Sequence, residues 1–394
     1  MKRISIAVLL CIVCMQSIYA QKRKLNEVNP VDKLVLQIPD SLTKTTEDIA
    51  NYIVSNFDND KDKIRAIYAW VTTNIAYDVD NMFKVDIHEK KEDKITKALK
   101  TRKGVCDHYS LLFSEICSHA GIKSYVITGY VKLNGNIDNM SHAWCSAFIG
   151  DDWYLFDPTW GAGTVNNGKF TKKMNDAYFM VTPVTMIKSH MPFDYLWQFL
   201  DNTVTSNDFY QGNFQDKQDS PYFNYADSIK VYEAQPKADR LNSVAYRVEK
   251  NGVKNMVTAD FLRNIKVEIE NIKQTYLADG FNAAMADFNK GVKCLNDFIN
   301  YRNNKFTPQK TDAEILEMIE TPMETLNEVK STLSGLKDMD TNKILPAAES
   351  IAEVDRALEA VRENKEWLDT YLKKGKLARK GMFHKVSWFG IPLN

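Results

Sequence analysis

From Thr45 onward, apolar residues recur at helical intervals. Ile49, Tyr52, Ile53 and Phe57 share one helix face, and Ile64, Ile67, Tyr68, Val71 and Ile75 share another, which predicts two amphipathic helices in succession. Residues 84–103 are dense in charge and read as mostly solvated. A further helix is predicted to start near Cys106, with Leu111, Leu112, Ile116 and Ala120 as its buried stripe and Gly121 as its stop signal. The period then changes from helical to alternating. Residues 125–131 read as a strand with a turn at Asn134-Gly135-Asn136, and residues 142–149 and 153–156 as two more around Gly150-Asp151-Asp152. A helix with a cysteine at its start, followed by an antiparallel sheet, is an α+β layout.

Residues 201–225 are rich in Asn, Asp, Gln and Ser and are expected to link two domains. Beyond them the helical period returns. Phe281, Met285, Phe288, Val292, Leu295 and Ile299 are spaced 4-3-4-3-4, and Ile315, Ile319, Pro322, Leu326, Val329, Leu333 and Leu336 continue in the same manner, as do Ile351, Val354, Leu358 and Val361. Stripes of this kind pack helices antiparallel when the connections are short. Thr311 with Glu314, and Thr321-Pro322 with Glu324, read as helix starts.

The first residues carry a different signal. Lys2 and Arg3 precede an apolar run over 4–15, with Ala20 a few residues on, which reads as a secretory signal peptide cut after Ala20. That run is shorter than the roughly 20 apolar residues a bilayer span takes. No later segment reads as transmembrane, so the expected location is secreted or periplasmic. The expected organisation is a signal over 1–20, an extended lead-in over 21–44, an α+β catalytic domain over 45–200, a linker over 201–225 and an all-helical domain over 226–394.

Lys+Arg and Asp+Glu both total 51, so nothing in the charge favours nucleic acid or an anionic membrane as partner. Cys11 and Cys14 would leave with the signal, and the four that remain, Cys106, Cys117, Cys145 and Cys294, are too irregular for a disulfide framework. Cys117 and Cys145 are expected to be packing residues.

Three segments stand apart: R-K-G-V-C-D-H-Y-S at 102–110, S-H-A-W-C-S-A-F at 141–148 and W-Y-L-F-D-P-T-W-G at 153–161. A thiol nucleophile needs a setting that favours thiolate, and a helix N-terminus supplies one. It also needs a histidine as base and a carboxylate to orient that histidine. Cys106 stands before the periodic run, His142 opens one strand and Asp157 ends the next. If residues 149–152 form the hairpin loop, Phe148 faces Trp153 and Trp144 faces Asp157, which makes His142 the same-face diagonal neighbour of Asp157. A slip of one residue would turn Asp157 to the other face.

These segments resemble the transglutaminase-like superfamily, with its Cys, His, Asp order and its G-V-C, H-A-W and D-P-T-W segments. Residues 67–78 (I-Y-A-W-V-T-T-N-I-A-Y-D) and 189–198 (S-H-M-P-F-D-Y-L-W-Q) resemble exported bacterial and kyphoscoliosis-peptidase-like members, so the likeness covers about 45–200. The resemblance implies a papain-like core in which Cys106 is the nucleophile, His142 the general base and then acid, and Asp157 the orienting carboxylate. It departs from the family at Asp107-His108, where a small residue or Glu is commoner than His. The implied activity is that of a cysteine peptidase or amidase acting on a peptide or protein through a thioester. Transglutaminase-type amine transfer is one alternative, and an inactive binding or scaffold protein is another. The backbone N–H of Cys106 would be one oxyanion donor, with Trp70, Asn74 or Tyr77 as candidates for a second. No metal-ligand motif or phosphate loop is present, so neither metal nor cofactor is expected. His108 is expected at the surface or tuning Cys106, and His190 is expected to fix a turn.

Overall fold

A computed structural model describes residues 29–83, 89–214 and 222–383, together with the backbone of Ser387–Trp388 and Ile391–Pro392. The predicted signal lies outside the described residues. Two compact units divide between Lys266 and Val267, within the helix Met256–Asn303 and downstream of the expected 201–225 linker.

The first unit is built on helices α1 (Thr46–Asn56), α2 (Asp60–Asn74), α3 (Lys91–Thr101) and α4 (Cys106–His119). Strands β1 (Ser124–Leu133), β2 (Asn136–Ile149), β3 (Asp152–Phe156) and β4 (His190–Pro192) form an antiparallel sheet in the order β3-β2-β1-β4. α1 and α2 start at Thr45 and Asn59, whose side chains accept from the N–H groups of Asp48 and Asp62. The stripes predicted for them are buried at Ile49, Ile53, Ile64, Ile67, Tyr68 and Val71. β1 turns into β2 at Asn134-Gly135, both with positive φ, which matches the right-handed twist of the paired strands.

Two elements depart from the expected pattern. α3 arises inside the charged stretch read as solvated. Its stripe is only Ile95, Ala98 and Leu99, and the Lys94 stem is buried beside them while its ammonium reaches Asp107 at 2.5 Å. The lead-in, expected to be extended, contains a helix over Pro30–Val35, capped by Asn29. Its Asp32 pairs with both Nε and Nη2 of the buried Arg65, at 2.7 and 2.6 Å.

Period-2 alternation gives the sheet two buried faces. Cys145, Ala147 and Ile149 of β2, with Phe156 of β3, pack against Trp70, Tyr109, Phe113 and Ile116 of the helices. Trp144, Trp153 and Leu155 point the other way, onto Met186, Leu196, Phe199 and Ile229. Burying each such large side chain contributes about 1.5–3 kcal/mol. The second face is therefore closed by chain beyond residue 180, including α5 (Tyr225–Ala234) and α6 (Lys237–Asn251). A buried bidentate pair between Arg247 of α6 and Asp194, at 2.6 and 2.7 Å, fastens that cover just past β4.

Gly129 of β1 lies where β4 and Trp144 press on the strand. A Cβ there would stand 2.1 Å from the Met191 carbonyl oxygen and 2.6 Å from the Trp144 ring. Gly129→Ala is expected to destabilise the unit by about 1–3 kcal/mol, because backbone and a buried indole must both move. A urea midpoint unchanged from wild type would show that the site yields freely.

In the second unit, α7 (Asp312–Met339) buries Ile315, Ile319, Pro322, Leu326, Val329, Leu333 and Leu336, the whole predicted stripe. α8 (Ala347–Leu372) buries Val354, Leu358 and Val361 against it. Thr311 and Glu314 form the predicted capping box, each accepting the other's backbone N–H. Thr321-Pro322 is not a helix start. Pro322 lies inside α7, where its missing N–H leaves the Met318 carbonyl without a helical donor, and apolar packing on both sides carries the helix through. The α+β core followed by a mostly helical region is as the sequence predicts. No described helix is long and apolar enough to cross a membrane.

Candidate active site

Cys106 is the first residue of α4, so its backbone N–H has no partner within the helix. The turn before it is held from within: the Val105 N–H donates to His108 Nδ1 at 3.3 Å. A Cβ at Gly104 would stand 2.5 Å from the His108 Cβ, so the glycine makes room for this ring. His108 is thus a buried cap on the Cys106 helix. Burial lowers its pKa, which keeps Nδ1 free to accept.

The hairpin register places the second and third residues. Phe148 pairs with Trp153 and Cys145 with Phe156, around a two-residue Gly150-Asp151 turn. Continuing that register sets Trp144 opposite Asp157, as the sequence arithmetic predicts. The loop is shorter than the four residues expected, because Ile149 and Asp152 also pair. His142 Nε2 lies 2.8 Å from Asp157 Oδ2, and Cys106 is near enough to His142 to help raise its pKa. With Nε2 on the carboxylate, Nδ1 is left for the thiol.

The D-P-T-W segment shows how Asp157 is held. Asp157 caps a short helix, Pro158–Ala162, with Pro158 at its first position. Oδ1 accepts from the N–H groups of Thr159 (2.9 Å) and Trp160 (3.0 Å). Oδ2 accepts from His142 Nε2 and, at 3.1 Å, from His190 Nε2. Four donors thus converge on a carboxylate with 0% exposure. The Trp160 ring packs on both imidazoles, 5.4 Å from His142 and 4.7 Å from His190 between centroids. Trp144 covers them from β2, at 6.2 and 5.2 Å.

Charge and burial set the protonation of this cluster. Burial alone would lower the pKa of His142, but the charge of Asp157 and the hydrogen bond to it, with a further contribution from Cys106, outweigh it and raise the pKa to about 10. Burial would raise Asp157, and the two histidines hold it well below the usual carboxylate range instead. For His190 burial wins over Asp157, so that ring is held neutral. Cys117 and Cys145 are fully buried, and burial pushes both thiols up. The Cys145 thiol donates to the Ser110 carbonyl at 3.3 Å, so both fit the packing role expected of them.

His190 is misread by the sequence. It is not a turn residue but the start of β4, 1% exposed, paired with Val131 of β1 and bonded to Asp157. Its sequence signal is its place in the segment 189–198 that resembles family members, ahead of Met191-Pro192. Ligand atoms of His142, Asp157 and His190 lie within 4.8 Å of one another, a spacing that an ion could bridge. The contacts of 2.8 and 3.1 Å are those of two imidazoles donating to one carboxylate, which satisfies these atoms among themselves. Of the candidate second oxyanion donors, Trp70 is buried in the core beneath Arg102, and the Asn74 amide donates to the Trp70 carbonyl. Tyr77 is half-buried and paired with Gly104, two residues before Cys106. Its hydroxyl is pushed up to about 12 by burial and the proximity of Cys106, so it stays a donor.

Residues 47–158 match the model of the transglutaminase-like superfamily. Kyphoscoliosis peptidase of Mus musculus is 35% identical over 150 residues, 36% of this chain and 22% of that protein. The Homo sapiens protein of the same name is 32% identical over 162 residues, 39% of this chain and 24% of that protein. The chain therefore spans about a quarter of the length of these curated relatives. Among solved structures, the periplasmic domain of TgpA from Pseudomonas aeruginosa is 23% identical, covering 34% of this chain and 50% of that one at a TM-score of 0.25.

Proposed function

From a chain whose residues 47–158 belong to the transglutaminase-like superfamily, we propose an exported thiol enzyme that transfers acyl groups from peptide or protein amides, with water as the usual acceptor. The observation that carries this reading is His142 Nε2 bound to the buried Asp157 carboxylate, which leaves Nδ1 unused, with Cys106 close enough at the start of α4 to help raise the pKa of that ring.

In the proposed mechanism Cys106 passes its proton to His142 Nδ1, and the thiolate attacks the amide carbonyl. The oxyanion is stabilised by the Cys106 N–H at the start of α4 and by the Tyr77 hydroxyl. His142 returns the proton to the departing nitrogen, the C–N bond breaks, and a thioester remains. Water, deprotonated by His142, then attacks the thioester and Cys106 leaves as thiolate. A second amine in place of water would give transglutaminase-type transfer by the same steps. Export rests on the basic and apolar pattern of residues 2–20.

Incubating the protein with a peptide library and analysing products by mass spectrometry tests this reading. Cleaved peptide or released ammonia is the expected result, crosslinked peptide would move the assignment to amine transfer, and no turnover of any amide would overturn it.

A further inference from the structure

On the basis of that proposed function, we infer that His190 is a positioning residue for the candidate active site, an imidazole that shares one carboxylate oxygen of Asp157 with His142. A histidine filling space in a core can take any nearby acceptor. His190 Nε2 takes Asp157 Oδ2, the oxygen His142 already uses, at 3.1 Å against 2.8 Å. Its other nitrogen, Nδ1, lies 2.8 Å from the Ser189 hydroxyl. A carboxylate only accepts, so the proton of the neutral ring sits on Nε2 and points at Asp157, which leaves Nδ1 to accept from the Ser189 O–H, a hydroxyl that also lies 3.5 Å from the Met186 carbonyl. A relay thus runs Ser189, His190, Asp157, His142, and Cys106 is the group that His142 serves in the proposed mechanism. Its outer part comes from β4, a short edge strand paired to β1 and anchored beyond by Asp194 and Arg247.

Two consequences follow. With all four donors in place, Asp157 cannot rotate without losing one, so the His142 ring is aimed by the whole set. Sharing Oδ2 also lowers the negative charge that Asp157 presents to His142, so the imidazolium is less stabilised and its Nδ1 proton passes more readily to a leaving group in each cycle. The titratable groups facing this cluster are Cys106 from α4, Tyr77 from the strand beside Gly104, Tyr178, whose ring lies 6.4 Å from His190, and, toward Asp157, Tyr68 of α2, Tyr109 of α4 and Cys145 of β2. The four tyrosines and Cys145 are all raised by burial and remain neutral over the working range.

The test replaces His190 with Phe, which fills the space without donating, and with Gln, whose amide can donate from the same place. Alkylation of Cys106 by iodoacetamide is followed against pH in the full chain, with Cys294 as internal reference. In His190→Phe the upper transition, set by the His142 proton, should move up by about one pH unit while kcat falls about tenfold. His190→Gln should return both most of the way to wild type. A packing role alone would lower stability and leave the transition in place, and that result overturns the inference. If the Phe variant does not fold, Ser189→Ala should shift the transition in the same direction by a smaller amount, and no shift there counts equally against it. Wild-type Cys106 reacting no faster than Cys294 would instead overturn the thiol mechanism itself.

Discussion

Replacing Asp157 with asparagine is expected to lower kcat by about 10⁴-fold while leaving the fold largely intact. The reason lies in the donor count. Asp157 accepts from two backbone N–H groups on one oxygen and from two imidazole nitrogens on the other. An amide has one accepting oxygen, so whichever way it turns, two donors meet an NH₂ group. The less costly arrangement keeps the oxygen on Thr159 and Trp160 and turns the amide nitrogen to the histidines. His142 must then carry its proton on Nδ1, the nitrogen left for Cys106, where it cannot accept the thiol proton. Asp157→Ala should lose activity and also cost about 3–5 kcal/mol, because a buried imidazolium partner is left uncompensated.

That stability change should depend on pH. The depressed carboxylate of Asp157 contributes stability above the unfolded value near 3.9 and loses it in stronger acid. The raised imidazole of His142 contributes fully below about 6.5 and loses its contribution as pH rises toward about 10. These are two views of one interaction, greatest between about pH 4 and 6.5. Urea unfolding of wild type and Asp157→Ala across pH 3–10 should show the difference shrinking at both ends; a constant difference would mean that the pair is not ionised as described.

Cys106→Ala is expected to reduce turnover to the uncatalysed background, a loss of at least about 10³–10⁴-fold, with little change in unfolding midpoint. Cys106 is half-buried, and alanine suits a first helical turn, so no large cavity follows. Residual turnover above background would place the nucleophile elsewhere.

Much of this arrangement is legible from local pattern. Cys106 begins a periodic apolar run, and strict alternation fixes the register of β2 on β3, which brings His142 and Asp157 to one face. The stripe of α7 is read residue for residue, since a long helix buried on one side must repeat its apolar positions. What escapes the pattern has a physical cause in each case. α3 shows three apolar residues among lysines, too few to register, yet Lys94 buries its stem and pairs with Asp107. The six-residue helix Ser206–Gln211 holds its place through one large anchor, Phe209, inside a polar stretch. His190 meets Asp157, 33 positions earlier, through a strand pairing that the chain between them does not announce.

The most direct measurement is the rate of Cys106 alkylation by iodoacetamide at neutral pH, in wild type and in His142→Ala, against Cys294 in the same molecules. A Cys106 activated by His142 should react many times faster than Cys294 in wild type and lose that advantage in the variant. Equal rates at the two cysteines of wild type would contradict a thiolate–imidazolium pair at this site.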